Sequence, residues 1–210
     1  MRGPEKQILY RIITIEREYG TGAAEIASKL SAQLGWTLWD RELTEEIARV
    51  AHVDPRSVSV CEERVDRGFQ RLVKVFWRGS YERRADMEHL PFGPDRLVEV
   101  GEQVMRDLAE RGKCVIVGRC ADYILESWKA FDVFVHAPIE DRVERVRRLY
   151  PAWDDRITDH IRRIDECRAD YYHHFTNRAW GQASNYALSL DSSRFGVDGC
   201  VNIIAKVVES

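Results

Sequence analysis

Long apolar runs are missing from this chain of 210 residues. The longest are only a few residues, far short of the roughly 20 that a membrane-spanning helix needs. The opening MRGPEKQ has none of the apolar stretch of a secretory signal. Paired cysteines are missing too. Cys61, Cys114, Cys120, Cys167 and Cys200 are scattered with no CxxC spacing, which argues against a zinc site or a disulfide framework and for reduced thiols. The expected location is the cytoplasm. There is little excess charge of either sign: 32 Lys and Arg stand against 35 Asp and Glu, a net charge of -3. Such a balance exerts no global pull toward nucleic acid or anionic lipid. Repeats and low-complexity tracts are absent, so neither a solenoid nor a disordered linker is expected.

Strands and helices alternate instead. Ile8 to Ile15 is apolar and β-branched and reads as a buried strand. Ala23 to Leu34 places Ile26, Ala27, Leu30 and Leu34 on one helical face, and Gly35 ends it. Further strands are expected at Thr37–Trp39, Cys114–Val117, Val133–Val135 and Tyr186–Leu190. Helices are expected around Leu97–Arg111, from Ile139 to Leu149 and from Val201 to Val208. This order predicts a parallel sheet with helices on both faces, built as one domain over residues 1–210. Two stretches break the rhythm. His52 to Asp95 carries Val65, Phe69, Leu72, Val73 and Phe76 at helical spacing, and Tyr150 to Gly181 is rich in Arg, Asp and aromatics. Long excursions from such a sheet read as lids or substrate-binding flaps, or as packing decoration.

The first strand runs into Arg17-Glu18-Tyr19-Gly20-Thr21-Gly22 and then a helix. Ligands of open α/β sheets bind beyond the carboxyl ends of strands. Glycines there let the backbone turn with positive φ, and a following helix N-terminus favours anions. A phosphate-binding loop is therefore expected, with a plain structural turn as the alternative. The ordinary loop is GxxxxGK[ST]. With Gly22 on its second glycine, Arg17 stands at the first and Ala23 at the lysine. No hydroxyl follows to hold magnesium; the segment continues as Ala24 and Glu25. A carboxylate at Glu25 repels polyphosphate unless a cation lies beside it, or serves only the helix dipole. Arg17 is the nearest substitute cation. Asp40-Arg41 closes the second strand, where Arg41 could hold an acceptor phosphate and Asp40 orient it, or cap a helix. His173-His174 point apart on a helix and lack further ligands, so no metal site is legible. The run Arg142, Arg145, Arg147 and Arg148 is interleaved with Glu140, Asp141 and Glu144 and reads as a solvated face.

Taken together, these segments resemble the cytidylate kinase-like family, a divergent branch of the P-loop nucleoside monophosphate kinases. The resemblance is carried by Ile13–Gly22 with Glu25-Ile26-Ala27, by Trp39–Leu43, by Cys114–Leu125, by Arg168–Tyr172 before Phe175, and by Tyr186–Ser192. The family's loop usually reads like REYGSGGRE; this chain departs from it at Ala23 and Ala24. The resemblance implies a three-layer α/β/α P-loop NTPase fold with a parallel five-stranded sheet, a helical acceptor-binding insert over 52–95 and a lid over 150–181. It also implies ATP with Mg2+, and a nucleotide acceptor such as CMP or dCMP. Tyr19, Gly20, Thr21, Gly22, Ala23, Ala24 and Glu25 would then line the donor phosphates. Arg119 would grip the acceptor phosphate and Asp122 would contact the acceptor's base or sugar, or else cap a helix. Arg162 and Arg168 would close from the lid. Two other readings stand beside it: a catalytically weak nucleotide-binding pseudokinase, and a kinase of another small molecule. For the last, Phe69, Phe76, Trp77 and Tyr81 fit ring binding, a small core or a homodimer contact alike.

Overall fold

The computed structural model describes residues 10–52, 94–151 and 156–210. Five strands, β1 (Ile12–Arg17), β2 (Thr37–Trp39), β3 (Cys114–Val117), β4 (Phe131–His136) and β5 (Leu188–Asp191), form one sheet in the order β2-β3-β1-β4-β5. Every pairing is parallel. The helices are α1 (Ala23–Leu34), α2 (Arg41–Ala51), α3 (Pro94–Arg111), α4 (Ala121–Ile124), α5 (Ile139–Leu149), α6 (Ile157–Thr176) and α7 (Ser192–Val208).

Alternation along the strands sorts the residues onto two faces. Ile13, Ile15, Val115, Val117, Val133 and Val135 join Ile26 and Leu30 of α1 and Val201, Ile204 and Val208 of α7 in one apolar core. Thr14, Glu16, Asp132 and Phe134 face the other way. There Thr14 donates its hydroxyl to Asp132 at 2.6 Å, and the Phe134 ring meets Trp180 and Tyr186 at 5.3 and 5.0 Å. Both faces of the sheet are covered, as parallel sheets require. A second cluster of Val146, Ile157 and Ile161, with Tyr19, Ile139 and Val143 against it, ties α5 and α6 to the segment after β1.

Element edges differ from the sequence reading where pairing overrides hydropathy. β1 extends to Arg17 because Glu16 and Arg17 lie in register with Phe134 and Val135. β4 begins at Phe131, opposite Ile13. The last helix starts at Ser192, capped by the Asp191 carboxylate, which accepts from Ser193 N–H at 3.0 Å, and it breaks at Gly196 (φ 65, ψ 171). Most of the Tyr150–Gly181 excursion is α6. Nearly all of His52–Asp95, with its expected helical faces, lies outside the described residues. The chain divides into two compact units, Met1–Asp40 with Met105–Ser210, and Arg41–Val104. Within the second, Leu43, Ile47 and Ala51 of α2 are buried and Gly101 of α3 lies against Ile47. Among the described residues no helix is long and apolar enough to cross a membrane.

Candidate functional site

β1 is flanked by β3 on one side and β4 on the other, so its carboxyl end opens at the point where the strand order reverses. The segment leaving it is held from below. Glu18 N–H donates to Val135 C=O at 3.0 Å, and the Glu18 carboxylate accepts from Ala137 N–H at 3.1 Å. Thr21 turns its hydroxyl back to Glu18 C=O at 2.9 Å. Gly20 and Gly22 have φ of 84° and 83°, a region that L side chains rarely adopt. Gly20 is also pressed against α5, where a Cβ would lie 3.0 Å from Val146 Cγ2 and 3.2 Å from Arg142 Cβ. Gly22 is the N-cap of α1, and the first helical bond runs from Ile26 N–H to its carbonyl. The amides ahead of Ile26 therefore have no acceptor within the helix.

Arginines from several elements surround this loop. Arg142 of α5 is buried; it donates to Tyr19 C=O at 3.3 Å and pairs with Asp165 of α6. Its Nε lies 3.6 Å from the Glu18 carboxylate. Arg145, nearly one turn later, reaches Gly22 and pairs with Glu25 at 2.6 Å. Hydrogen bonds from Arg145 and then Lys29 hold the Glu25 carboxyl below its usual range. Arg168 of α6 donates to Arg17 C=O at 3.0 Å, with its guanidinium 5.8 Å from the centre of the Tyr19 ring. The Arg17 side chain crosses to Gly118 at the end of β3, where its guanidinium lies against the glycine.

Beneath the arginines lies a buried acid cluster. Gly118, Arg119 and Cys120 have consecutive left-handed φ of 79°, 60° and 55°, strained for the latter two. The turn is fastened by Cys120 N–H donating to Glu16 Oε1 at 3.3 Å, while Trp180 Nε1 donates to Glu16 Oε2 at 3.2 Å. Asp122 accepts from the Tyr172 hydroxyl at 2.6 Å, and its Oδ1 is buried without a hydrogen-bond partner. Burial, and next the charge of Glu16, push the Asp122 carboxyl up to about 7. Burial, and next the bond to Asp122, push the Tyr172 phenol well above its usual range. Asp132 is pushed up to about 6 by burial against the opposing effect of Thr14.

The residues singled out from sequence are only partly brought together. Arg17, Tyr19, Gly20, Thr21, Gly22 and Arg168 meet at the loop. Tyr19 N–H is taken by Asp165 Oδ1 at 2.7 Å. Ala23 is buried in the apolar core, whereas Ala24 and Glu25 are exposed. Arg119 stands at the neighbouring strand end, half-buried. Asp122 is buried against Tyr172, and the cap of α4 is Cys120, so the helix-cap alternative does not hold. Asp40 is half-buried just after β2; Arg41 opens the other unit, exposed. Arg162 is exposed on α6. Glu16, Asp165 and Tyr172 were given no role in the sequence reading, and Arg142 and Arg145, expected on a solvated face, are instead packed against the loop, Arg142 buried and Arg145 largely so. Their one signal was the i, i+3, i+4 spacing of Arg142, Arg145 and Val146 in a run whose polarity suggested solvent.

The donor set suits a polyphosphate: glycine amides, a helix N-terminus and guanidinium groups. It does not suit a protein-built magnesium site. The loop's hydroxyl position is an alanine, Thr21 Oγ1 is spent on a carbonyl, and no group of three or more His, Cys, Asp or Glu fit to hold a metal occurs among the described residues. A magnesium ion arriving with nucleotide would rest on phosphate and water.

A model of the cytidylate kinase-like family matches residues 12–194. No curated protein matches the chain. Among solved structures, an uncharacterized protein from Eubacterium ventriosum ATCC 27560 superposes with a TM-score of 0.70 at 21% identity, over 97% of this chain and 99% of that one. Shikimate kinase from Acinetobacter baumannii, solved with shikimate, gives 0.52 at 12% identity over 96% and 94%. A gluconokinase from Sinorhizobium meliloti 1021 gives 0.50 at 13% identity over 97% and 95%. At these identities the likeness is one of fold, that of the P-loop kinases.

Proposed function

The chain belongs to the cytidylate kinase-like family, and from that premise we propose that it transfers the terminal phosphoryl group of ATP to a nucleoside monophosphate, CMP or dCMP. The observation that carries this reading is the convergence of Arg145 and Arg168, from two separate helices, on the glycine loop that leaves β1, with the Arg17 guanidinium at Gly118 on the neighbouring strand end. Phosphoryl transfer is mainly positioning and neutralisation of charge on the transferred group, and this arrangement supplies both. The amides of Gly20, Thr21 and Gly22 hold the donor phosphates. Arg17 and Arg168, joined by Arg162 from the exposed side of α6, neutralise the group in transit. Arg119 grips the acceptor phosphate, with Asp40 as a further acceptor contact. Asp122 acts as a positioning residue through Tyr172. The bond from the terminal phosphorus to the bridging oxygen of ATP breaks as one forms to the acceptor's phosphate oxygen, and ADP leaves. The attacking oxygen is already anionic, so no strong general base is required. Cytoplasmic location accords with this substrate class.

ADP release measured across CMP, dCMP, UMP, AMP and GMP tests the proposal. Acceptor-dependent turnover with a cytidine nucleotide is expected, and its absence with every nucleotide would sink it. Shikimate and gluconate belong in the same panel, because two structures of the same fold are kinases bearing those names. The second reading is a nucleotide-binding protein without turnover. Ala23 in the core and the Asp165 carboxylate on Tyr19 N–H favour it. Tight ATP binding with no turnover, and activity gained in Ala24→Arg, would support it over catalysis.

A further inference from the structure

We propose that Arg145 replaces the missing loop lysine: Glu25 holds its guanidinium at Gly22, and it transfers to the donor polyphosphate on binding. This rests on the phosphotransfer reading above and assigns the donor side of that site. Neither residue at the vacated end of the loop can supply the charge, because Ala23 is packed in the core and Ala24 ends at its methyl group. Arg145 can, because its helix is fixed to the loop at two points. Val146 and Arg142 press on Gly20, and Arg142 donates to Tyr19 C=O at 3.3 Å. With its neighbours fixed in this way, Arg145 reaches the N-terminus of α1. A Cβ on Gly22 would lie 2.7 Å from its Cζ and 2.8 Å from its Nη2. Glycine at 22 is required by its φ of 83°, and the guanidinium packs directly over it.

Glu25 is placed to release it. Its carboxylate is shared between Arg145 at 2.6 Å and Lys29 at 3.3 Å, and Lys29 is held in turn by Asp198 at 2.8 Å. When Arg145 swings to phosphate, Lys29 remains to balance Glu25. The pair is half-exposed, with side chains 23% and 46% accessible, so the exchange requires no unpacking of the core. A polyphosphate also offers a guanidinium several oxygens in place of one carboxylate, which favours the transfer.

The test is calorimetric titration of inorganic pyrophosphate and of ATP into the full chain and three variants: Arg145→Ala, Glu25→Gln and the two combined. Thermal melts confirm that each is folded. The wild type is expected to bind both ligands, Arg145→Ala to bind them about ten- to a hundredfold more weakly, and Glu25→Gln to bind no more weakly than wild type. The decisive result is the combined variant, which should stay as weak as Arg145→Ala. Recovery of wild-type affinity there would show that Arg145 only neutralises Glu25, and would overturn the inference. Unchanged affinity in Arg145→Ala would overturn it as well while leaving the kinase reading intact. Failure of the wild type to bind either ligand would overturn both.

Discussion

Glu16 shows how much of the site depends on one buried carboxylate. Each of its oxygens accepts a hydrogen bond, one from the strained Cys120 amide and one from the Trp180 indole. Glutamine can satisfy only one of these donors and would turn its amide hydrogens toward the other. Glu16→Gln should therefore lose about 1–3 kcal/mol of stability in denaturant unfolding. It should also raise KM for the acceptor more than it lowers kcat, because the turn it releases carries Arg119. Asp122 gives a pH signature. Its folded carboxyl lies at about 7 against an ordinary 3.8, so between those values the native state keeps a proton that the unfolded chain has released. Its contribution to stability is full below the ordinary value and is lost as pH rises toward about 7. The melting temperature of Asp122→Asn minus that of wild type should accordingly climb from acid to neutral pH; a flat difference would contradict the assignment. Neither Glu16 nor the fate of Asp122 was legible in the sequence, since a lone acid at a strand end shows its burial only once the alternation and the covering Tyr172 are known. Arg142 and Arg145 were hidden differently, inside a run of mixed charge that looks like a solvated face until Gly20 and Gly22 are seen against it.

Helix α6 binds the site together along one stripe. Asp165 meets the Tyr19 amide and Arg142, Arg168 meets Arg17 C=O, and Tyr172 meets Asp122. The spacing i, i+3, i+7 keeps all three on the face turned to the loop. Arg162 is exposed, so the two arginines expected from this segment should separate in kinetics. Arg168→Ala should lower kcat by about a hundredfold, while Arg162→Ala should have the smaller effect. Equal losses in steady-state assays would mean that α6 moves during turnover and brings both to the phosphates. A different prediction concerns anchorage: Ile161 is fully buried between α5 and α6, and Ile161→Ala should cost about 2–5 kcal/mol in chemical denaturation. At this scale the sequence was informative. Ala23–Leu34, Thr37–Trp39, Cys114–Val117 and Ile139–Leu149 carry their own periodicity and punctuation, and they stand where expected. The misplaced edges at Arg17, Phe131 and Ser192, and both edges of β5, expected at Tyr186–Leu190 and found at Leu188–Asp191, are set by pairing register or by a side-chain cap rather than by hydropathy.

For the whole molecule, the sheet order puts β1 between strands from two different crossovers, and the crevice this opens is filled by glycine turns and arginines instead of the usual lysine. Alternation of strands and helices was enough to predict the parallel sheet; the order of its strands follows from packing that no single segment encodes. On the function proposed above, this rebuilt loop is a working polyphosphate site. It is tested most directly by titrating ATP with magnesium into the full chain in a calorimeter, with a thermal melt at saturating ligand. Saturable binding of one ATP per chain is expected, with stabilisation of about 2.7 kcal/mol at a hundredfold excess over Kd. No heat and no shift in melting temperature up to millimolar ATP would contradict it.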